Sequence, residues 1–135
     1  MKKLFLDSDV MLDVLLKRPG FYLSSAGVIA LAHENQIAAV TSSVAFVNVH
    51  YFLDKYDRTN KFKLLTRFRS FITIIEVGEK EIDMALKSGA IDFEDTVQYY
   101  SALNAKADII ITRNIKDYKQ SLIPVLTPEQ FLKTL

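Results

Sequence analysis

Apolar positions along this chain fall into two kinds of run. The first kind is short and nearly unbroken, at residues 3–6, 37–41, 72–75, 108–112 and 122–126. A strand with one solvated face alternates apolar and polar residues, whereas a strand covered on both faces does not need to. Each run is also too short for a helix of ordinary length. Five buried, mostly parallel strands are therefore expected.

The second kind repeats at helical spacing. Residues 10–17 place Val10, Met11, Val14 and Leu15 together and end at Pro19-Gly20. Residues 21–34 repeat Leu23, Ala26, Gly27, Ala30 and Leu31, and residues 43–56 bring Val44, Val47, Tyr51 and Tyr56 toward one face. Residues 59–71 do the same with Phe62, Leu65 and Phe68, and segments 79–87 and 93–105 follow. Thr127-Pro128-Glu129 opens a last short helix, with Thr127 as its cap and Pro128 at the first helical position. Strands alternating with helices predict an α/β sandwich: a Rossmann-like, about five-stranded sheet covered on both faces. In such sheets ligands gather at the carboxyl ends of the strands.

The length of 135 residues suits one domain spanning 1–135. The absence of cysteine excludes disulfides and thiolate metal sites. The basic start Met1-Lys2-Lys3 leads into an apolar run that Asp7 cuts short, unlike a signal peptide. No segment approaches the roughly 20 apolar residues of a membrane span. A soluble, cytoplasmic protein is the expectation. A net charge of +1 carries no bulk signal for polyanion binding, so a nucleic-acid ligand would require a local patch.

Carboxylates cluster where the predicted strands end. The first strand runs directly into Asp7-Ser8-Asp9, a costly place for charge unless something compensates it. Capping of the next helix by Ser8 or Asp9 is the simpler alternative. Asp92 and Asp95 stand three apart at the start of a helix, on one face; capping and the helix dipole also favour acids there. Glu94 is expected to point elsewhere. The fourth strand ends in Thr112-Arg113-Asn114, with Asp117 close behind, and should lie beside the first. Asn114 offers a donor, an acceptor or a water-positioning group. Carboxylates that converge stay ionised together only around a cation. Oxygen ligands without nearby His or Cys favour Mg2+ or Mn2+, and such a site suits phosphodiester hydrolysis.

The chain resembles the PIN-domain family of metal-dependent ribonucleases, many of them VapC-like toxins of toxin–antitoxin pairs. The resemblance rests on Phe5-Leu6-Asp7-Ser8-Asp9-Val10-Met11-Leu12-Asp13, on Thr41-Ser42-Ser43-Val44 leading into a helix, and on Asp92-Phe93-Glu94-Asp95-Thr96. It continues through Ala107-Asp108-Ile109-Ile110-Ile111-Thr112-Arg113-Asn114, Asp117-Tyr118 and the closing Ile123 to Phe131 segment. It implies a Rossmann-like α/β/α fold and an acidic site for one or two divalent ions. Asp7 and Asp95 match family acids and would ligate the ion, with Asp92 and Asp117 as supplementary acids. Asn48 and Asn114 stand where the family usually has Glu and Asp, and would complete the shell or position water. The resemblance further implies an RNA substrate, a cognate antitoxin and a homodimer.

Two other readings compete. Leu6-Asp7-Ser8-Asp9-Val10 also resembles the opening motif of haloacid-dehalogenase phosphatases, with Asp7 as nucleophile and Asp9 as general acid/base. That family's late acidic pair is replaced here by Thr112-Arg113-Asn114. A PIN-like RNA- or protein-binding domain without activity is the other, favoured by Asn48 and Asn114.

Lys61, Lys63, Arg67 and Arg69 interleave with Phe62, Phe68 and Phe71. The pattern fits RNA stacking, but an amphipathic helix with core aromatics and solvated cations is preferred. Phe46, Tyr51, Phe52 and Tyr56 are read as mostly core, with some left for a partner face. Arg113 is placed to meet a phosphate or to pair with Asp117 or another local acid. His33 is read as a helix-end residue and His50 as a surface or partner-facing one, neither a metal ligand.

Overall fold

The sheet alternates side chains between two apolar layers, which explains why its strands read as unbroken apolar runs. In β1 (Lys3–Leu6), Leu4 and Leu6 enter one layer and Phe5 the other; in β4 (Ile109–Ile111), Ile109 and Ile111 enter the first and Ile110 the second. The computed structural model describes residues 1–135. With β2 (Ala38–Ser42), β3 (Ile72–Ile75) and β5 (Val125–Leu126), these strands form one parallel sheet in the order β3-β2-β1-β4-β5. This is the expected α/β architecture. No helix is long and apolar enough to cross a membrane.

Seven helices cover the sheet: α1 (Ser8–Leu15), α2 (Tyr22–His33), α3 (Ser43–Tyr56), α4 (Lys61–Arg69), α5 (Glu79–Lys87), α6 (Phe93–Asn104) and α7 (Pro128–Leu132). The larger apolar layer is built from α1 to α4 and α7, and α6 contributes Ala102 to the smaller one, beside the 3-10 turn Ile115–Tyr118. The chain leaves β1 toward β2 and β3, then crosses back to β4 and β5. The loops after β1 and β4 therefore diverge and open a crevice between them, the switch point at which such sheets bind ligands.

Four expectations need correction. The fifth strand is shorter than residues 122–126: Leu122 is solvent-exposed, Pro124 has no N–H to donate, and only Val125–Leu126 pairs. In α2 the core stripe is Ser25, Val28, Ile29 and Ala32, while Leu23 is exposed. In α3 it is Ala45, Val49 and Leu53, while Val47, Tyr51, Phe52 and Tyr56 face solvent. Both helices are apolar on more than one side, so spacing alone cannot choose the buried side. On α4, Phe68 is core as expected, but Phe62 is 64% exposed and stacks on the His50 ring at 5.5 Å. His33 ends α2, edge-on to Phe71.

Candidate active site

Asp7 sits where β1 meets α1 and is the N-cap of that helix, a role expected for Ser8 or Asp9. Its Oδ1 accepts the Ser8 amide at 2.7 Å. Its Oδ2 accepts two hydroxyls, Thr112 Oγ1 at 3.0 Å and Tyr118 Oη at 3.0 Å. Thr112 follows β4 and Tyr118 ends the 3-10 turn, so parallel pairing of β1 with β4 delivers both donors. The carboxylate is only 8% exposed. Burial raises its pKa, and the hydroxyls and the Ser8 amide partly oppose that. Burial and the adjacent Asp7 charge raise the Tyr118 phenol too, so it remains a donor.

Two residues on, Asp9 faces the loop after β4. Its Oδ2 accepts the Arg113 amide at 3.1 Å and the Asn114 side-chain amide at 3.2 Å, and its Oδ1 is buried without a partner. Burial and the Asp7 charge push it up to about 7. Asp13, another turn along α1, is fully buried. Arg113 Nε lies 2.9 Å from it and Arg18 3.5 Å, and the Ser25 hydroxyl donates to it at 3.3 Å. The Arg113 guanidinium also lies 3.9 Å from the centre of the Phe21 ring. Arg113 therefore pairs with a local acid, as one of its two expected roles had it, and the acid is Asp13. The neighbouring groove, lined by Phe21, Ser24, Ser25, Arg113 and Thr127, lies at the C-terminal edge of the sheet.

The opposite wall comes from α6. Asp92 is its N-cap and accepts the Asp95 amide at 3.0 Å. Asp95 is pushed up to about 7, first by desolvation and then by the charges of Asp92, Asp7 and Asp117. Those causes place Asp92, Asp7 and Asp117 each within electrostatic reach of Asp95. Glu94 does not point away as expected: it accepts a short hydrogen bond from the Asn48 side-chain amide of α3. Desolvation and the charges of Asp92 and Asp7 raise its pKa as well. Deeper between α3 and α6, Ser42 donates to the buried Gln98.

These acids have the donor chemistry of a hard divalent cation. They are oxygen ligands, they repel one another, and the nearby Arg113 is already committed to Asp13. No three carboxylate or imidazole side chains meet at ligating distance. A consequence for stability follows. Asp9 and Asp95 have folded pKa values of about 7 against 3.8 ordinarily, so between those values the folded chain binds more protons than the unfolded one. Stability of the metal-free protein then rises as pH falls through 7. Melting curves in chelator are expected to give a higher Tm at about pH 5.5 than at about pH 8, with added Mg2+ recovering the loss at high pH. A Tm that increases with pH in chelator would contradict this electrostatic account.

The family profile described as PIN domain matches residues 3–116. The chain belongs to the PIN-domain family. Ribonuclease VapC1 of Aquifex aeolicus (strain VF5) is 28% identical to this PIN domain over 135 residues, covering 96% of this chain and 93% of the relative. Two solved structures share the fold. One is VapBC2 from Rickettsia felis bound to a DNA fragment from its promoter: TM-score 0.68, 20% identity, 92% of this chain and 96% of the other. The second is a toxin–antitoxin complex from Klebsiella pneumoniae: TM-score 0.69, 17% identity, 92% and 96%. The family match sets aside the haloacid-dehalogenase alternative.

In this PIN domain Asp7 follows β1, Asp92 and Asp95 open α6, and Asp117 lies in the 3-10 turn after β4, with Asp7, Asp92 and Asp117 acting on the Asp95 carboxyl. Asn114 turns its amide to Asp9, and Asn48 turns its own to Glu94. Sequence reasoning did not anticipate the hydroxyls of Thr112 and Tyr118, the buried Asp13, or Glu94. Of these, Asp13 carried a signal: an acid at the fourth position after Asp9 falls on the same helical face, amid apolar neighbours.

Proposed function

We propose that this PIN domain is a divalent-metal-dependent endoribonuclease, the toxin of a toxin–antitoxin pair. The observation that carries the reading is the placing of Asp7 and Asp95 at the switch point of a PIN sheet, with the charges of Asp7, Asp92 and Asp117 all acting on Asp95. Asp7 and Asp95 would hold Mg2+ or Mn2+, with Asp92 and Asp117 adding charge around it. The ion, when bound, supplies compensation for the charge that develops on the phosphodiester and a more acidic water. The chain's own groups do the positioning. Thr112, Tyr118 and the Ser8 amide fix the Asp7 carboxylate, and Asn114 holds Asp9 on the far side of the loop.

The role of a toxin is supported by the likeness to a VapC ribonuclease and to structures of VapBC complexes. It is also supported by the exposed apolar stripe of Val47, Tyr51, Phe52 and Tyr56 on α3, which is large for a solvent face and suits a protein partner such as an antitoxin or a second copy of the chain. The test is direct: a mixed, end-labelled RNA incubated with the purified protein is expected to be cut with Mg2+ or Mn2+ and left intact in chelator. Cleavage undiminished by chelator, or none with either metal across total RNA, would overturn the reading.

Tyr118 offers a finer check. Tyr118→Phe keeps the buried ring and removes one donor from Asp7. Outer-shell partners of metal ligands typically contribute about 10–100-fold, so metal-dependent cleavage is expected to fall roughly tenfold, at the low end of that range. Unchanged cleavage across a metal titration would show that Thr112 and the Ser8 amide suffice to orient the carboxylate.

A further inference from the structure

We infer that the groove beside Arg113 receives a backbone phosphate of the RNA, flanking the phosphodiester that is cut. The inference rests on the nuclease reading above and adds to it a contact outside the acidic crevice. Three observations lead to it.

The first is a guanidinium only half used. Arg113 meets Asp13 through Nε, a contact of charge without an aligned hydrogen bond. The hydrogen bond that Arg113 donates comes from its backbone, to Asp9, so Nη1 and Nη2 keep their donors free. The Phe21 ring supports the guanidinium at 3.9 Å and fixes where that free edge sits. A held, planar fork with free donors matches a phosphate.

The second is the charge that solvent meets. Arg18 and Arg113 both pair with Asp13, two cations against one carboxylate. The carboxylate is fully buried, whereas the arginine side chains are 33% and 25% exposed. Asp9, between groove and crevice, has its Oδ2 taken up by the Arg113 and Asn114 amides. Glu129, on the groove's other wall, is paired with Lys133 at 3.3 Å. The groove thus shows an anion a positive face beside a crevice of acids. An RNA strand calls for both, because the phosphates next to the cut one bring charge that no ion in the crevice offsets.

The third is size and place. The groove holds about 160 Å³, against roughly 300–1,000 Å³ for a pocket that encloses a whole small molecule. It suits one group of a longer ligand lying across it. Ser24 lines it with a hydroxyl that makes no hydrogen bond within the protein, a second donor for a phosphate oxygen. Thr112 joins groove to crevice: its hydroxyl donates to Asp7 at 3.0 Å, and Arg113 is the next residue.

The test compares four full-length proteins: wild type, Asp13→Asn with Arg113→Met, Ser24→Tyr, and Asp7→Asn. The double variant removes the fork together with its acid, so net charge is kept and no buried charge is orphaned. Ser24→Tyr fills the groove and leaves the ion pair in place. Circular dichroism and melting curves confirm that each is folded. Two readouts use a single-stranded RNA of mixed sequence: cleavage kinetics in Mn2+, and fluorescence anisotropy of the labelled RNA in chelator. Both groove variants are expected to raise KM and Kd about tenfold, as for one lost charged hydrogen bond, with kcat retained. The double variant is also expected to flatten the slope of log Kd against log salt by about 0.7, the share of one phosphate on a single strand. A merely structural role would lower Tm and leave KM, Kd and the salt slope at wild-type values. If both groove variants bind and cut RNA like wild type while Asp7→Asn does not cut it, the inference fails and the nuclease reading stands. If the wild type binds RNA but cuts none in any metal, that reading fails and the Kd values decide the groove. Loss in Ser24→Tyr alone would take the contact away from the Arg113 fork and overturn the inference. So would a double variant that loses a polyglutamate peptide but keeps RNA, since the groove would then serve an acidic protein segment. A wild type that neither binds nor cuts RNA sinks both.

Discussion

Replacing Asp7 by Asn is expected to reduce RNA cleavage by at least about a hundredfold while leaving the melting temperature as high as that of the wild type, or higher. The activity estimate follows from a comparison. Partners that only orient a metal ligand contribute about 10–100-fold, and Asp7 is the group those partners orient, through three donors. The stability estimate follows from burial. A carboxylate that is 8% exposed carries a desolvation cost, which is why its pKa is raised despite three hydrogen bonds. Asn keeps the shape, still accepts the Ser8 amide, and removes the charge, while its Nδ2 donates to the Thr112 and Tyr118 hydroxyls, which turn to accept. Activity and stability should thus move in opposite directions, the signature of a group retained for function rather than for folding. Initial rates of cleavage and a thermal melt on the same preparation check both halves. A variant that loses activity because it unfolds would contradict the account, as would one that cleaves like wild type.

The largest effect on stability is expected at Arg113. Asp13 is fully buried, and Arg113 is its nearer cation, at 2.9 Å against 3.5 Å for Arg18. Arg113→Ala removes that partner and the contact with the Phe21 ring, and leaves Asp13 with one distant arginine and the Ser25 hydroxyl. Breaking a buried ion pair on one side costs about 3–5 kcal/mol. Arg113 is itself partly solvated, so the lower figure, about 3 kcal/mol, is expected, or a fall in Tm of roughly 10 °C for a domain of this size. The pair is not needed for its charge as such: a double variant, Asp13→Asn with Arg113→Met, is expected to recover most of the loss. Denaturant titration of the two single variants and the double one gives the coupling. A cost below about 1 kcal/mol for Arg113→Ala would mean that Arg18 compensates Asp13 unaided.

Much of this architecture is legible in the sequence because its strands are buried on both sides. Phe5 between Leu4 and Leu6, and Ile110 between Ile109 and Ile111, serve two apolar layers at once, so their unbroken apolar runs report a doubly covered parallel sheet. The helices were readable as helices but not as oriented ones. In α3, Tyr51, Phe52 and Tyr56 are bulkier than Ala45 and Val49, yet the smaller residues are buried and the aromatic side is left to solvent. Hydrophobicity measures the tendency to be covered, and cannot say whether the cover is the same chain or another one.

The site divides in the same way. Asp7, Asp92, Asp95 and Asp117 stand out in the sequence because charges at strand ends and helix starts are conspicuous. Thr112 and Tyr118 were not, since a threonine after a strand and a tyrosine in a loop are ordinary until β1 and β4 are known to be neighbours and their donors meet at one oxygen. Glu94 was misdirected for a related reason. Helical spacing separates it from Asp92 and Asp95, but a long side chain at the start of α6 can reach across to α3, and Asn48 is there to receive it.

The central claim is that Asp7 and Asp95 share a divalent ion at the crevice between β1 and α6. Crystals soaked in Mn2+ and measured at a wavelength where manganese scatters anomalously test it most directly. The account predicts an anomalous peak between the two carboxylates, about 2.0–2.3 Å from an oxygen of each, absent from crystals of Asp7→Asn. Ordered acids with no peak between them at saturating Mn2+, or a peak that persists in the variant, would contradict it.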